Sequence, residues 1–454
     1  MTTKIQWISH ASCLICYDDY FLITDPWYIK KAFTSWTVKP PPIINPKLII
    51  DLTKTGKLGF LISHHHFDHY DIEFLKKCHD NTPIFIADFS ENKEEDLPEV
   101  KCLNDSLLEH CKMKNVIQIP IGDKHFQQFG PYKIRSLRRN KPYTIDGMLT
   151  VEAPDCFIIH GADAWGIEEN SYAGRVLKKI KPSNLPSIFM GQAGTASGWP
   201  LIYTCYDEEE KKKILKDKTK NMILNIYKTC KTFNIDKALG YAHTSYVYTN
   251  NTDYFEKYDY TPIKGENANK LVNNNLFLEM QPSSIVIPSN NFNIVNLIPT
   301  IDYAEYFEDN MISTRLNKYK FDNFFSDRLN DWLSSFIIFC EQKLKESKIV
   351  EQDIDLIFEI IIYKDDDKDN ILYEKKIKLA NGTRKKTLTC SESVIGNIIH
   401  GIIPFKDLDV GYLAEFSRTP KDYYNDMFLM VLGIHSHSFF NCNIIDTEEY
   451  EHQE

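Results

Sequence analysis

From Ile5 to about Cys205, short apolar runs rich in Ile, Val, Phe and Tyr alternate with polar turns. Runs of this length, bounded by turn residues, are the signature of β-strands. They predict strands at Ile5–Ile8, Cys13–Tyr17, Tyr20–Thr24, Leu58–Ser63, Ile84–Ala87, Val116–Ile119, Lys133–Ser136, Met148–Val151, Cys156–His160 and Ser187–Met190. Asp71–Cys78 and Gly174–Lys179 read as single helices, and Pro40-Pro41-Pro42 as an extended loop, because proline fixes φ and lacks a donor. From Asp207 to Phe233 the period changes. Ile214, Met222, Ile223, Ile226, Tyr227, Cys230 and Phe233 recur mainly at threes and fours, the apolar face of a long helix. Many strands with a few covering helices predict an α/β sandwich.

Beyond this block, residues 258–315 are rich in Asn and Pro with weak periodicity and read as a connecting region. Residues 316–454 have the pattern of a smaller α+β domain. A helix at Asp327–Ser347 precedes a hairpin, Ile354–Tyr363 and Ile371–Leu379, followed by helices at Ser391–Gly401 and Pro420–Leu432. The expected division is therefore 1–257, 258–315 and 316–454. The acidic stretch Asp365–Asn370 lacks the glycine and final glutamate of an EF-hand loop and reads as a solvated hairpin tip.

The chain has 454 residues, 43% hydrophobic and 26% charged, which excludes a largely disordered protein. Its net charge of -10 argues against nucleic acid as a partner, since phosphate contacts need concentrated Lys and Arg. No apolar run approaches the roughly 20 residues that span a bilayer, and the N-terminus lacks the pattern of a signal peptide. A cytoplasmic location is expected. The eleven cysteines are scattered; Cys13 and Cys16 have no second Cys/His pair nearby, so reduced, mostly buried thiols are expected.

Chemistry concentrates in Leu61-Ile62-Ser63-His64-His65-His66-Phe67-Asp68-His69-Tyr70-Asp71. Four of the fourteen histidines fall within six positions, at the end of an apolar strand. Alternation puts His64 and His66 on one side, and Asp68 and His69 follow from the loop. Imidazoles and a carboxylate gathered at one pole of a sheet suit Zn(II) or Fe(II).

His64, His66, Asp68 and His69 resemble the metal signature of the metallo-β-lactamase superfamily, which implies a four-layer αββα sandwich with a metal site at its rim. Ile8-Ser9-His10-Ala11-Ser12 and Thr24-Asp25-Pro26-Trp27 resemble motifs of its lactonase and phospholipase branch, which includes the ascorbate-6-phosphate lactonases. Similarity to the catalytic part of the CMP-N-acetylneuraminate hydroxylase family runs through Thr24–Trp27, Ala32-Phe33, Pro41-Pro42, the histidine cluster and Ala193–Pro200, in that order. The resemblance implies Asp163 as a bridging ligand and His243 as a last ligand, with His160 as a supporting donor. The superfamily's further histidine, near Leu137–Pro142, is missing, so one metal position is expected to be complete and the other weakened or completed by His160 or His125.

One or two divalent metal ions, Fe or Zn, follow from these ligands. Asp68 and His10 are the expected catalytic groups. Lys141, Arg138, Gly194 and Ser197 are candidates to hold a small-molecule substrate: Asn140 or Lys141 by lining the site, Arg138 by gripping an anion, the glycine-rich stretch by offering backbone amides to a phosphate. His435-Ser436-His437 has ligand spacing but no nearby acid. Three functions fit: an iron-dependent oxygenase on an activated or acylated sugar-like substrate, served by a separate electron-transfer protein; a zinc-dependent hydrolase of a lactone, ester or phosphodiester; or a non-catalytic binder.

Overall fold

The computed structural model describes residues 1–38, 42, 44–88, 103–104, 106–138, 147–164, 166–194, 198–242, 245–249, 252–253, 257, 264–296, 316–346, 350–422 and 426–440. Two sheets form the first part. In one, the strands run in the order Asn293–Val295, Ile285–Ile287, Lys4–Ser9, Ser12–Tyr17, Tyr20–Thr24, Leu58–Ile62, Ile84–Asp88, Val116–Pro120. In the other the order is Lys237–Tyr241, Ser187–Gln192, Phe157–His160, Gly147–Glu152, Tyr132–Arg138, Gln127–Phe129.

Side-chain alternation builds four layers from these strands. Trp7, Leu61 and Ile158 point between the sheets, where they share a core with Ile15, Leu149, Ile188 and Leu239. Their sequence neighbours point outward. Ile8, Phe60 and Ile62 pack beneath the helices Pro46–Thr53 and Ile72–Leu75, through Ile49, Phe74 and Leu75. Phe157 and Ile159 pack beneath Tyr172–Ile180 and Glu208–Thr232, through Val176, Leu177, Ile223 and Ile226. This is the expected αββα sandwich.

Several local expectations need correction. Residues 258–315 do more than connect: Ile285–Ile287 pairs with the first strand, Val286 opposite Ile5, and extends the first sheet. Asp71 ends the histidine loop as the N-cap of a helix only four residues long. The hairpin tip is Asp365-Asp366, and Asp367 already belongs to the strand Asp367–Leu379, an exposed sheet edge on which polar residues are tolerated. The strands Lys385–Ser391 and Glu415–Thr419 were not expected, and since the latter occupies the approach to Pro420, the last helix runs at Asp426–Phe439.

The C-terminal sheet has the order Asp367–Leu379, Leu356–Lys364, Lys385–Ser391, Glu415–Thr419, with Asn323–Lys345, Glu392–Ile399 and Asp426–Phe439 packed on it. Its core is continuous with Trp27, Phe33, Trp36, Val38 and Leu201–Tyr203 of the first part. Backbone hydrogen bonds join the two where Phe416 N–H donates to Ile202 O (2.9 Å) and Thr204 N–H to Phe416 O (2.8 Å). No helix among the described residues is long and apolar enough to cross a membrane.

Candidate metal centre

Four chain turns meet at one rim of the sandwich. They follow Lys4–Ser9, Tyr20–Thr24, Leu58–Ile62 and Phe157–His160, and they carry His10, Asp25, the histidine cluster and Asp163. His10 (φ 39°), Asp25 (φ 36°) and Ala162 (φ 48°) are left-handed without being glycine. Such strain persists only where surrounding structure overdetermines it, and it concentrates at functional sites.

Two groups of donors result: His10, Asp68 and His69, and His64, His66 and Asp163, with the donor atoms of each group within 4.8 Å of one another. In the first, His10 Nε2 is 3.3 Å and His69 Nε2 3.6 Å from Asp68 Oδ2. In the second, His64 Nε2 and His66 Nδ1 lie 3.6 and 3.9 Å from Asp163 Oδ2. Asp163 joins them, because its Oδ1 is 3.1 Å from His69 Nε2.

A buried scaffold orients these rings. Asp25 accepts from Ser63 N–H (2.9 Å), Ser63 Oγ (2.9 Å) and His69 Nδ1 (2.7 Å), and His160 Nε2 is 2.9 Å away. Bonding Nδ1 of His69 to Asp25 leaves Nε2 to face Asp68 and Asp163, as a carboxylate does for a metal-bound imidazole. Ser63 Oγ, 2.9 Å from His64 Nδ1, does the same for His64. Tyr241 closes the chain: its hydroxyl bonds His160 Nδ1 and accepts from Ala162 N–H, holding the turn that presents Asp163. Asp71 fastens the loop from the other side by accepting from the backbone N–H of Tyr28 (3.1 Å), Lys30 (2.8 Å) and Phe74 (3.0 Å).

Charge follows geometry. Burial alone would disfavour the His69 imidazolium, but Asp163, Asp68 and Asp25 outweigh it and hold the ring's pKa well above the ordinary value. Burial likewise opposes ionised Asp163, yet the charge of His69 and the nearness of the His64 and His66 rings keep its carboxyl far below the usual range. Asp25 is held low in the same way, against burial, by His160 and His69. The pocket therefore demands positive charge. His69 Nε2, Asp68 Oδ1 and Asp163 Oδ1 are buried without a hydrogen-bond partner among the described residues. Buried polar atoms left open inside a cluster of imidazoles and carboxylates fit a divalent cation.

The structure thus brings together His10, His64, His66, Asp68, His69 and Asp163. His10, expected as a catalytic group, stands among the donors; each group offers three, and beside His64 and His66 the third is the carboxylate of Asp163. His160 supports Asp25 from outside both groups, while His125 is exposed on a loop. His243, Lys141 and Ser197 lie outside the described residues. Arg138 closes the strand Tyr132–Arg138 opposite Gly147. Gly194 is buried in the bend after Ser187–Gln192. Farther on, a Cβ at Gly198 would strike the backbone of Asp409, so part of the glycine-rich stretch serves close packing with the C-terminal region. His435 bonds Ser335 Oγ (3.1 Å) among Phe336, Phe339 and Phe439, a core position where burial pushes its pKa down to about 4. Sequence reasoning missed the orienting role of Asp25, although the Thr-Asp-Pro turn after a strand marks it.

No known protein family and no curated protein matches this sequence. Similar solved structures include a possible metal-dependent hydrolase from Veillonella parvula (12% identity, 63% of this chain and 100% of that one, TM-score 0.42). An isothiocyanate hydrolase from Delia radicum gut bacteria is similar at 11% identity, over 62% of this chain and 98% of that one, with TM-score 0.38. The diiron β-hydroxylase CmlA from Streptomyces venezuelae is similar at 11% identity, over 53% of this chain and 45% of that one, with TM-score 0.34. Likenesses this remote bring no reaction with them.

Proposed function

We propose that this chain is a metal-dependent hydrolase acting at a carbonyl or phosphoryl centre, such as a lactone, ester or phosphodiester. The observation that carries this reading is Asp163, which completes one donor set with His64 and His66 through Oδ2 and reaches His69 of the other set through Oδ1. A divalent cation held by such donors supplies a Lewis acid and lowers the pKa of bound water toward 7. Asp68 Oδ1, buried and open, is the atom placed to take and hold a proton from an attacking water. His10 and His69 fix Asp68 through its other oxygen, and Asp25 fixes His69. Hydrolysis needs nothing beyond these side chains, a cation and water.

A second reading is favoured by the donor count. Each set is two imidazoles and one carboxylate, the combination of non-haem iron oxygenases as well as of some zinc hydrolases. On that reading the centre holds iron, an electron-transfer protein supplies reducing equivalents, and the substrate is an activated or acylated sugar. Protein stripped of metal and reloaded with zinc or, anaerobically, with Fe(II) separates the two. Turnover of a generic lactone or phosphodiester by the zinc form, without dioxygen or reductant, is the expected result. Dioxygen consumption by the reduced iron form, with no hydrolysis by the zinc form, would overturn the first reading, and metal binding with neither activity would leave a binder.

A further inference from the structure

Residues 404–412 reach from the C-terminal sheet to the loop that carries the histidines. Thr34 Oγ1 donates to Asp407 Oδ2 (2.9 Å), Ser35 Oγ to Gly411 O (2.6 Å) and Trp36 Nε1 to Val410 O (2.7 Å). Gly411 lies so close to Phe33 O that a Cβ would collide with it. Phe33 in turn packs edge-on against His66, with ring centroids 6.1 Å apart, and against Phe67 at 6.2 Å. This seat fixes the backbone around Lys406, whose ammonium stands 5.6 Å from the centre of the Phe67 ring, between His66 and Asp68 in sequence.

Lys406 is half-buried and makes no ion pair among the described residues. His65 is 4% exposed, and its Nε2 has no hydrogen-bond partner among them. The Lys406 ammonium is close enough that its charge adds to burial in lowering the His65 pKa, and His66 feels the same cation. A cation resting on an aromatic face beside a metal centre, with no ion-paired acid among the described residues, is placed to meet an anion.

We propose that Lys406 binds an oxyanion of the substrate, a phosphate or carboxylate next to the reacting bond, so that the C-terminal region supplies a specificity residue to a centre built by the sandwich. The inference rests on the metal-centre reading above. It is tested on the full chain loaded with Co(II), titrated with inorganic phosphate and separately with acetate, and followed by the visible spectrum of the cobalt. Lys406→Met and Lys406→Gln are expected to weaken binding of at least one anion by about tenfold or more, while Lys406→Arg keeps most of it and cobalt content stays the same. The anion more affected tells phosphate from carboxylate. Unchanged affinity in a folded variant that retains its cobalt overturns the role of Lys406 and leaves the centre standing. Cobalt lost, or folding lost, in both neutral variants marks the residue as structural and overturns it too. Failure of the unaltered protein to hold cobalt overturns the metal-centre reading itself.

Discussion

Two acids largely withdrawn from water, one in each part of the molecule, are handled in opposite ways. Glu359, in the C-terminal sheet, is 4% exposed and surrounded by Lys376 Nζ (2.8 Å), Lys385 Nζ (2.7 Å) and Thr387 Oγ1 (2.8 Å). Burial opposes its charge, yet these partners hold its pKa down to about 2. Asp163, at the sandwich rim, faces three imidazoles, and its Oδ1 takes no hydrogen bond among the described residues. A buried carboxylate whose lone pairs are all matched belongs to the architecture; one left partly open is arranged for something that arrives later. Asp407 lies between these extremes. Its Oδ2 takes the Thr34 hydroxyl, its Oδ1 takes nothing among the described residues, and burial pushes its pKa up to about 6.

The contrast can be broken at four points. Asp163→Ala should abolish turnover and release bound metal, as elemental analysis and a substrate assay would show; full metal content in that variant would place Asp163 with the architectural acids. Asp407 contributes stability that is present below the ordinary aspartate pKa and lost as pH rises through about 6. The change amounts to about 3 kcal/mol. Denaturant titrations at pH 4 and pH 8 should find that slope in the wild type and a flatter one in Asp407→Asn. Asp25→Asn should weaken metal binding by roughly 10- to 100-fold, the usual cost of losing a carboxylate behind a ligand imidazole, measured by competition with a coloured chelator. Glu359→Gln should cost about 1 kcal/mol, since both lysines are about half exposed and can turn to water. Its metal content and activity should not change.

Much of this was legible along the chain, because strands covered on both faces must be apolar along their length. Leu58–Ile62 and Phe157–His160 are short apolar runs whose ends point to the rim, and the histidine cluster is contiguous, so those parts needed only local reading. Pairing partners did not. Ile285–Ile287 is three residues in an Asn- and Pro-rich stretch and becomes a strand only by lying against Ile5. Lys385–Ser391 opens with two lysines, and the second, Lys386, is buried against the rings of Tyr203, Phe416 and Phe428, an environment only the tertiary fold supplies. The place of His10 among the ligands depends on a left-handed turn meeting Asp68 from a different strand, which spacing cannot reveal. Lys406 is hidden for the same reason, since it joins the cluster only through the docking of one region on another.

That docking limits how the protein can be dissected. Trp27, Trp36 and Tyr203 share one interior with Trp332 and Phe358. A fragment trimmed to its first 296 residues would therefore carry a greasy scar beside its reactive mouth. Such a piece should clump on purification, so a shortened catalyst would first require that scar to be resurfaced.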